Sequence, residues 1–111
     1  MADIEKFERM NTLLLSYGGL LTELQKDVLS CYYSYNLSIS EIADERNVSR
    51  AAIEDALKKG EKKLEEIEQA LRINEKREKI LKITAKIKQK SNNEEINNDL
   101  EEIERILTDG I

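Results

Sequence analysis

Leu37-Ser38-Ile39-Ser40-Glu41-Ile42-Ala43 and, after a gap of four residues, Val48-Ser49-Arg50-Ala51-Ala52-Ile53 decide how this 111-residue chain folds. Each half opens on the same start signal. Ser38 with Glu41 three residues on has the form of a capping box, and Leu37 and Ile42 hold the two staple positions around it. Ser49 repeats the cap, with Val48 and Ile53 as its staple pair. Between them, Asn47 can take the left-handed conformation that ends a helix. A short helix, a turn of about three residues and a capped second helix make a helix-turn-helix. Ala43 falls where the two helices cross closely, and Val48 is expected to plug the turn. Ile42, Val48, Ile53 and Leu57 are the expected core of this unit.

The pattern extends in both directions. Upstream, Thr22 and Gln25 form another capping box, and Leu24, Val28, Cys31, Tyr32 and Tyr35 trace a helical stripe that stops near Asn36. A first helix spans Asp3 to Ser16, with Ile4, Phe7, Met10 and Leu14 inward, and Tyr17-Gly18-Gly19 ends it. Downstream, Ile53, Leu57, Leu64, Ile67 and Leu71 keep one seam, with Gly60 on it, where a missing side chain either weakens the helix or lets another backbone come close. Ile73, Ile80, Ile83 and Ile87 are out of register with that seam. This slip predicts a break or kink near Arg72 to Glu75, with Asn74 as a candidate new cap; the alternative is one long continuous helix. A fifth helix runs to about Gln89. Ser91-Asn92-Asn93 interrupts, and Ile96, Leu100, Ile103 and Leu107 line a sixth. The expected fold is all-α: residues 1–20 an N-terminal helix and turn, 21–63 the helix-turn-helix core and 64–111 a C-terminal helical arm, together one structural domain.

Composition narrows the function. Proline is absent and 37% of residues are charged, which favours helix and leaves few strand signals. With no histidine, the commonest general base and metal ligand is missing. Cys31 lies in an apolar stretch without basic neighbours and reads as a small buried hydrophobe. No glycine-rich phosphate loop is present. These features argue for a binding protein and against an enzyme, with no cofactor and no metal. A lone cysteine suits a reducing cytoplasm. No run reaches the ~20 apolar residues that span a bilayer, and Met1-Ala2-Asp3-Ile4-Glu5 lacks the basic and apolar parts of a secretory signal.

The stretch Leu21-Thr22-Glu23-Leu24-Gln25, the helix-turn-helix residues Leu37 to Ala43 and Val48-Ser49-Arg50 resemble region 4 of the primary bacterial sigma factors. Tyr17-Gly18 before Leu20-Leu21-Thr22, the pair Tyr32-Tyr33, and Val48-Ser49-Arg50-Ala51-Ala52-Ile53-Glu54-Asp55 bring the chain closer to the YlxM family of sigma-region-4-like proteins. The likeness covers residues 13 to 68 and extends to the C-terminal helices only in general character. It implies a sigma-region-4-like helix-turn-helix domain with a long fourth helix, a cytoplasmic location and a dimer. It also implies a link to the signal recognition particle pathway, through gene neighbourhood with the particle's GTPase and its receptor.

The recognition positions are Ser49, Arg50, Ala51, Glu54, Asp55, Lys58 and Lys59. Arg50 suits contact with nucleic acid, whereas Glu54 and Asp55 would face a polyanion. Residues 49–63 carry a net charge of only +2, residues 1–48 carry −4, 64–90 carry +3 and 91–111 carry −6. The basic block Arg72, Lys76, Arg77, Lys79, Lys82, Lys86, Lys88 and Lys90 reads either as a solvated face or as a surface for docking RNA or a GTPase. The expected function is regulatory binding in the signal recognition particle pathway, to its GTPase or RNA. DNA-binding transcriptional regulation is the alternative. Three apolar stripes beyond the helix-turn-helix exceed what one chain can cover, so a homodimer is expected.

Overall fold

A computed structural model describes residues 4–109. Among them every regular element is helical. The helices are α1 (Ile4–Tyr17), α2 (Glu23–Leu29), α3 (Ile39–Arg46), α4 (Arg50–Leu71), α5 (Ile73–Lys90) and α6 (Glu94–Thr108). The expected start at Asp3 lies outside the described residues. The chain divides into two compact units at Leu71/Arg72.

In the first unit α4 is the axis on which α1, α2 and α3 pack. Its inward positions are Ile53, Ala56, Leu57, Gly60 and Leu64, all buried. Leu13 and Tyr17 from α1, Val28 and Leu29 from α2, and Ile42 from α3 meet them, each at most 2% exposed. The closest approach is at Gly60. A Cβ built there would lie 2.6 Å from Leu29 Cδ1, so any side chain at this position would force the buried Leu29 side chain to shift.

The caps form as the spacing demands. The Thr22 hydroxyl accepts the Gln25 N–H, the Ser38 hydroxyl accepts the Glu41 N–H, and both capping boxes close reciprocally. Asn47 ends α3 at φ 60°, and the Val48 N–H reaches back to the Ala43 carbonyl at 3.1 Å, a Schellman closure. The helix break also falls where the slipped seam puts it. Its pivot is Arg72 at φ 54°, however, while Asn74 lies inside the first turn of α5.

Several expected core positions are corrected. Val48 does not plug the turn. The closure commits its backbone, and its side chain is 45% exposed. In α1 the buried residues are Met10, Leu13, Ser16 and Tyr17, and Ile4 is exposed. The second helix is not regular to Asn36. After Leu29 it widens into a π-helical turn, Ser30–Ser34, in which the Tyr35 N–H donates to the Ser30 carbonyl. One extra residue in the turn rotates the side chains beyond it. Tyr33 therefore goes inside, Cys31 and Tyr32 are half-buried, and Tyr35 is exposed. Tyr33 and Tyr32 close an aromatic cluster with Phe7, ring centroids 4.9–5.7 Å apart.

The second unit is a hairpin of α5 and α6. Asn93 caps α6 by accepting the Glu95 and Ile96 N–H groups. Thr84 and Leu100 are its buried residues, with Thr84 donating to Glu104 at 2.8 Å.

The packing of the first unit sets two stability tests. Ile53→Ala empties a site that is 1% exposed and should cost about 2–5 kcal/mol, whereas Val48→Ala should cost under about 1 kcal/mol; urea melts rank the two. Gly60→Ala should destabilise by about 1–3 kcal/mol despite alanine's better helix propensity. Adding Leu29→Ala should cost less than the sum of the two singles, because the smaller side chain makes room for the new methyl.

Candidate interaction face of the fourth helix

α4 presents three faces with different work. The inward face builds the core. A second edge carries Glu61, Glu65 and Glu68, one or nearly one turn apart, and these bind α1 and the π turn. The Arg9 guanidinium donates twice to Glu65, with Nε 2.9 Å from Oε2. The Tyr17 hydroxyl donates to Glu68 at 2.7 Å, Lys6 pairs with Glu61 at 3.6 Å, and the Tyr33 hydroxyl also donates to Glu61. Arg9 holds the Glu65 carboxyl below the usual carboxylate range. Burial, then the bond to Glu61, pushes the Tyr33 phenol well above its ordinary value, so it remains a donor. Together these bonds fix how α4 is rotated, and so which residues its third face offers.

That third face holds the expected recognition residues, and all seven are exposed. Ser49 is occupied with the helix start: its hydroxyl accepts the Ala52 N–H at 3.1 Å. Arg50 stands at the first position of α4, followed one turn on by Glu54 and one turn further by Lys58. On the adjoining row Asp55 pairs with Lys59 at 3.1 Å, and Lys62 lies 3.9 Å from Glu66. Two of the bases that would meet phosphates are thus already near carboxylates of their own helix.

The neighbouring helix adds a feature that periodicity alone does not show. In a DNA-bound helix-turn-helix the first helix crosses the phosphate backbone. Here that helix, α3, exposes Glu41, Asp44 and Glu45. Its base Arg46 donates to Asp27 of α2 at 3.0 Å. An excess of acids in Ser-Glu-Ile-Ala-Asp-Glu-Arg is visible in the sequence, but the Arg46–Asp27 pair joins residues of two different helices.

The expected basic docking face is distributed around α5. Arg72 forms two hydrogen bonds with Glu75, at 2.9 and 3.0 Å, and Lys79 lies 3.9 Å from the same carboxylate. Arg77 turns toward α6 and donates to the Leu107 carbonyl at 3.2 Å. Lys76, Lys82 and Lys86 are exposed. Among the described residues no group of three His, Cys, Asp or Glu side chains is placed to hold a metal ion, and no helix is long and apolar enough to cross a membrane.

A short helix closed at a left-handed Asn47, a three-residue turn and a long helix capped by Ser49 define a helix-turn-helix protein. The sequence pattern of the YlxM/p13-like helix-turn-helix proteins, UPF0122, matches residues 4–103, and the chain belongs to that family. A UPF0122 protein of Bacillus cereus is 40% identical over 101 residues, which is 90% of this chain and 92% of that protein. UPF0122 proteins of Bacillus anthracis and Bacillus thuringiensis subsp. konkukian are similar to the same extent, at 40% identity over 101 residues.

The bond between Arg9 and Glu65 makes the set of α4 depend on acidity. The Glu65 pKa is depressed in the folded chain, so the bond contributes stability above the carboxyl's unfolded value and loses it as pH falls through the folded one. Arg9→Gln should therefore lower the melting temperature at pH 7. The gap from the parent should close steadily below about pH 4.5, the ordinary range for a glutamate.

Proposed function

We propose that the protein is a regulatory binding module of the signal recognition particle pathway, acting in the cytoplasm as a homodimer joined through its C-terminal helices, and that it contacts the particle's GTPase or its RNA. It works by binding and not by catalysis. The observation that carries this reading is the charge of the helix-turn-helix surface. Arg50 leads a face on which Glu54 and Asp55 follow and Lys59 is paired, beside an α3 that exposes three acids. Duplex DNA presents a dense row of phosphates, and a protein neutralises them with unpaired lysines and arginines. A face of alternating sign is better matched to another protein's polar surface, where register comes from complementary charges. The pathway itself is drawn from the resemblance of Leu21–Gln25, Leu37–Ala43 and Val48–Asp55 to the YlxM family. Arg50, Lys58 and Lys59 are the contacts proposed on the helix-turn-helix, and Lys76 and Lys82 those proposed for RNA backbone on α5.

A second reading, a DNA-binding transcriptional regulator, is favoured by one observation: Arg50 sits exposed at the N-terminus of the recognition helix, the end that enters the major groove.

Fluorescence anisotropy separates the two. At about 50 mM salt the protein should show no submicromolar binding to random duplex fragments or to the promoter of its own operon. It should bind the particle's GTPase or RNA, and Arg50→Ala or Lys58→Ala should weaken that binding about tenfold, the effect of one lost charged contact. Submicromolar DNA binding that falls steeply with salt and disappears in Arg50→Ala would replace the first reading by the second.

A further inference from the structure

α5 and α6 use only part of their apolar surface on each other. They run antiparallel, with Thr84 and Lys88 both bonded to Glu104 and Arg77 bonded to the Leu107 carbonyl. Thr84 and Leu100 are buried in this hairpin, and Leu81 is half-buried. A second stripe stays in water: Ile80, Ile83 and Ile87 on α5, and Ile96, Ile103 and Ile106 on α6, between 39% and 66% exposed. At about 100° per residue each second stripe is turned about 90° from the first. Because the helices are antiparallel, both stripes turn to the same side of the hairpin. Six isoleucines thus form one continuous apolar face, wide enough for a pair of helices.

The charges at its borders are divided by helix. Residues 72–90 hold eight bases and two acids, net +6, and residues 91–109 hold one base and seven acids, net −6. Lys79, Lys86 and Lys90 flank the isoleucines on the α5 side, and Glu95, Asp99 and Glu102 flank them on the α6 side, all exposed. Within one hairpin these two borders lie on opposite outer edges, where they do not meet.

We propose that a second copy of the chain covers this face, with the two-fold axis running along the helices, so that α5 of each copy lies on α6 of the other in a four-helix antiparallel bundle. Charge selects this arrangement. A two-fold across the helices would set α5 on α5 and α6 on α6, +6 against +6 and −6 against −6. The axis along them sets each basic border against an acidic one. The Thr84–Glu104 bond fixes the level. Two residues beyond Thr84 and two before Glu104, Lys86 of one copy stands opposite Glu102 of the other. This arrangement rests on the homodimer reading and specifies how the two arms meet.

Sedimentation equilibrium on the full chain tests it, with Lys86→Glu, Glu102→Lys and the double variant. The parent should sediment at about twice 12.8 kDa at micromolar concentration. Each single swap turns two symmetry-related attractions into repulsions and should raise Kd about tenfold or more. The double variant restores opposite signs at both contacts and should return Kd to within about threefold of the parent, with unchanged helical circular dichroism throughout. A parent dimer whose Kd ignores the single swaps, or a double variant no tighter than the singles, would overturn the α5-on-α6 arrangement and leave the homodimer standing. A parent that stays monomeric at about a hundred times that concentration overturns both the arrangement and the homodimer.

Discussion

Leu29 rests directly on the backbone of α4 at Gly60, and the first unit is arranged around that contact. With hydrogen as the only side chain there, α2 packs closely on α4, and Val28 and Leu29 are fully buried. Beyond Leu29 the π turn at Ser30–Ser34 shifts the register by one residue, and it is Tyr33 that reaches both Phe7 and Glu61. Glycine in a helix costs about 1 kcal/mol against alanine. Here that cost is offset by the apolar surface that the close contact removes from water.

Much of this is legible in the residues because the signals are local. Thr22, Ser38 and Ser49 cap their helices through bonds spanning three residues, and Asn47 turns the chain through its own φ. The change of register after Leu71 announces the break at Arg72. The illegible parts are set by distant partners. No short-range pattern marks a π turn, so periodicity sets Cys31, Tyr32 and Tyr35 on a stripe that the extra residue rotates away. Val48 fits a staple, but the Schellman closure of α3 fixes its backbone with the side chain turned outward. At the candidate site, the exposure of Arg50, Glu54 and Lys58 agrees with periodicity, and the Asp55–Lys59 pair with their spacing. The Glu61, Glu65 and Glu68 bonds that hold α4 in its rotation join residues 28 to 56 positions apart, for which a single sequence carries no signal.

The helix-turn-helix and its electrostatics therefore come from different constraints. The shape depends on caps, one glycine and a few aliphatic contacts, and none of these needs a basic surface. Arg50, Glu54 and Lys58 on α4 and Asp44 and Glu45 on α3 are exposed and lie outside these contacts, so their charges can vary without disturbing the fold. A scaffold of this kind can keep its geometry while its ligand changes from nucleic acid to protein.

All five aromatic residues of the chain fall between Phe7 and Tyr35, and there is no tryptophan. Three of them form the cluster around Tyr33, and Tyr17 is fully enclosed. The near-ultraviolet absorption, tyrosine emission and aromatic circular dichroism of this molecule therefore report on the first unit alone. The hairpin of α5 and α6 is optically silent. It could open, close or change partners while those signals stayed flat, and only its amide bands or a label attached to it would register the event.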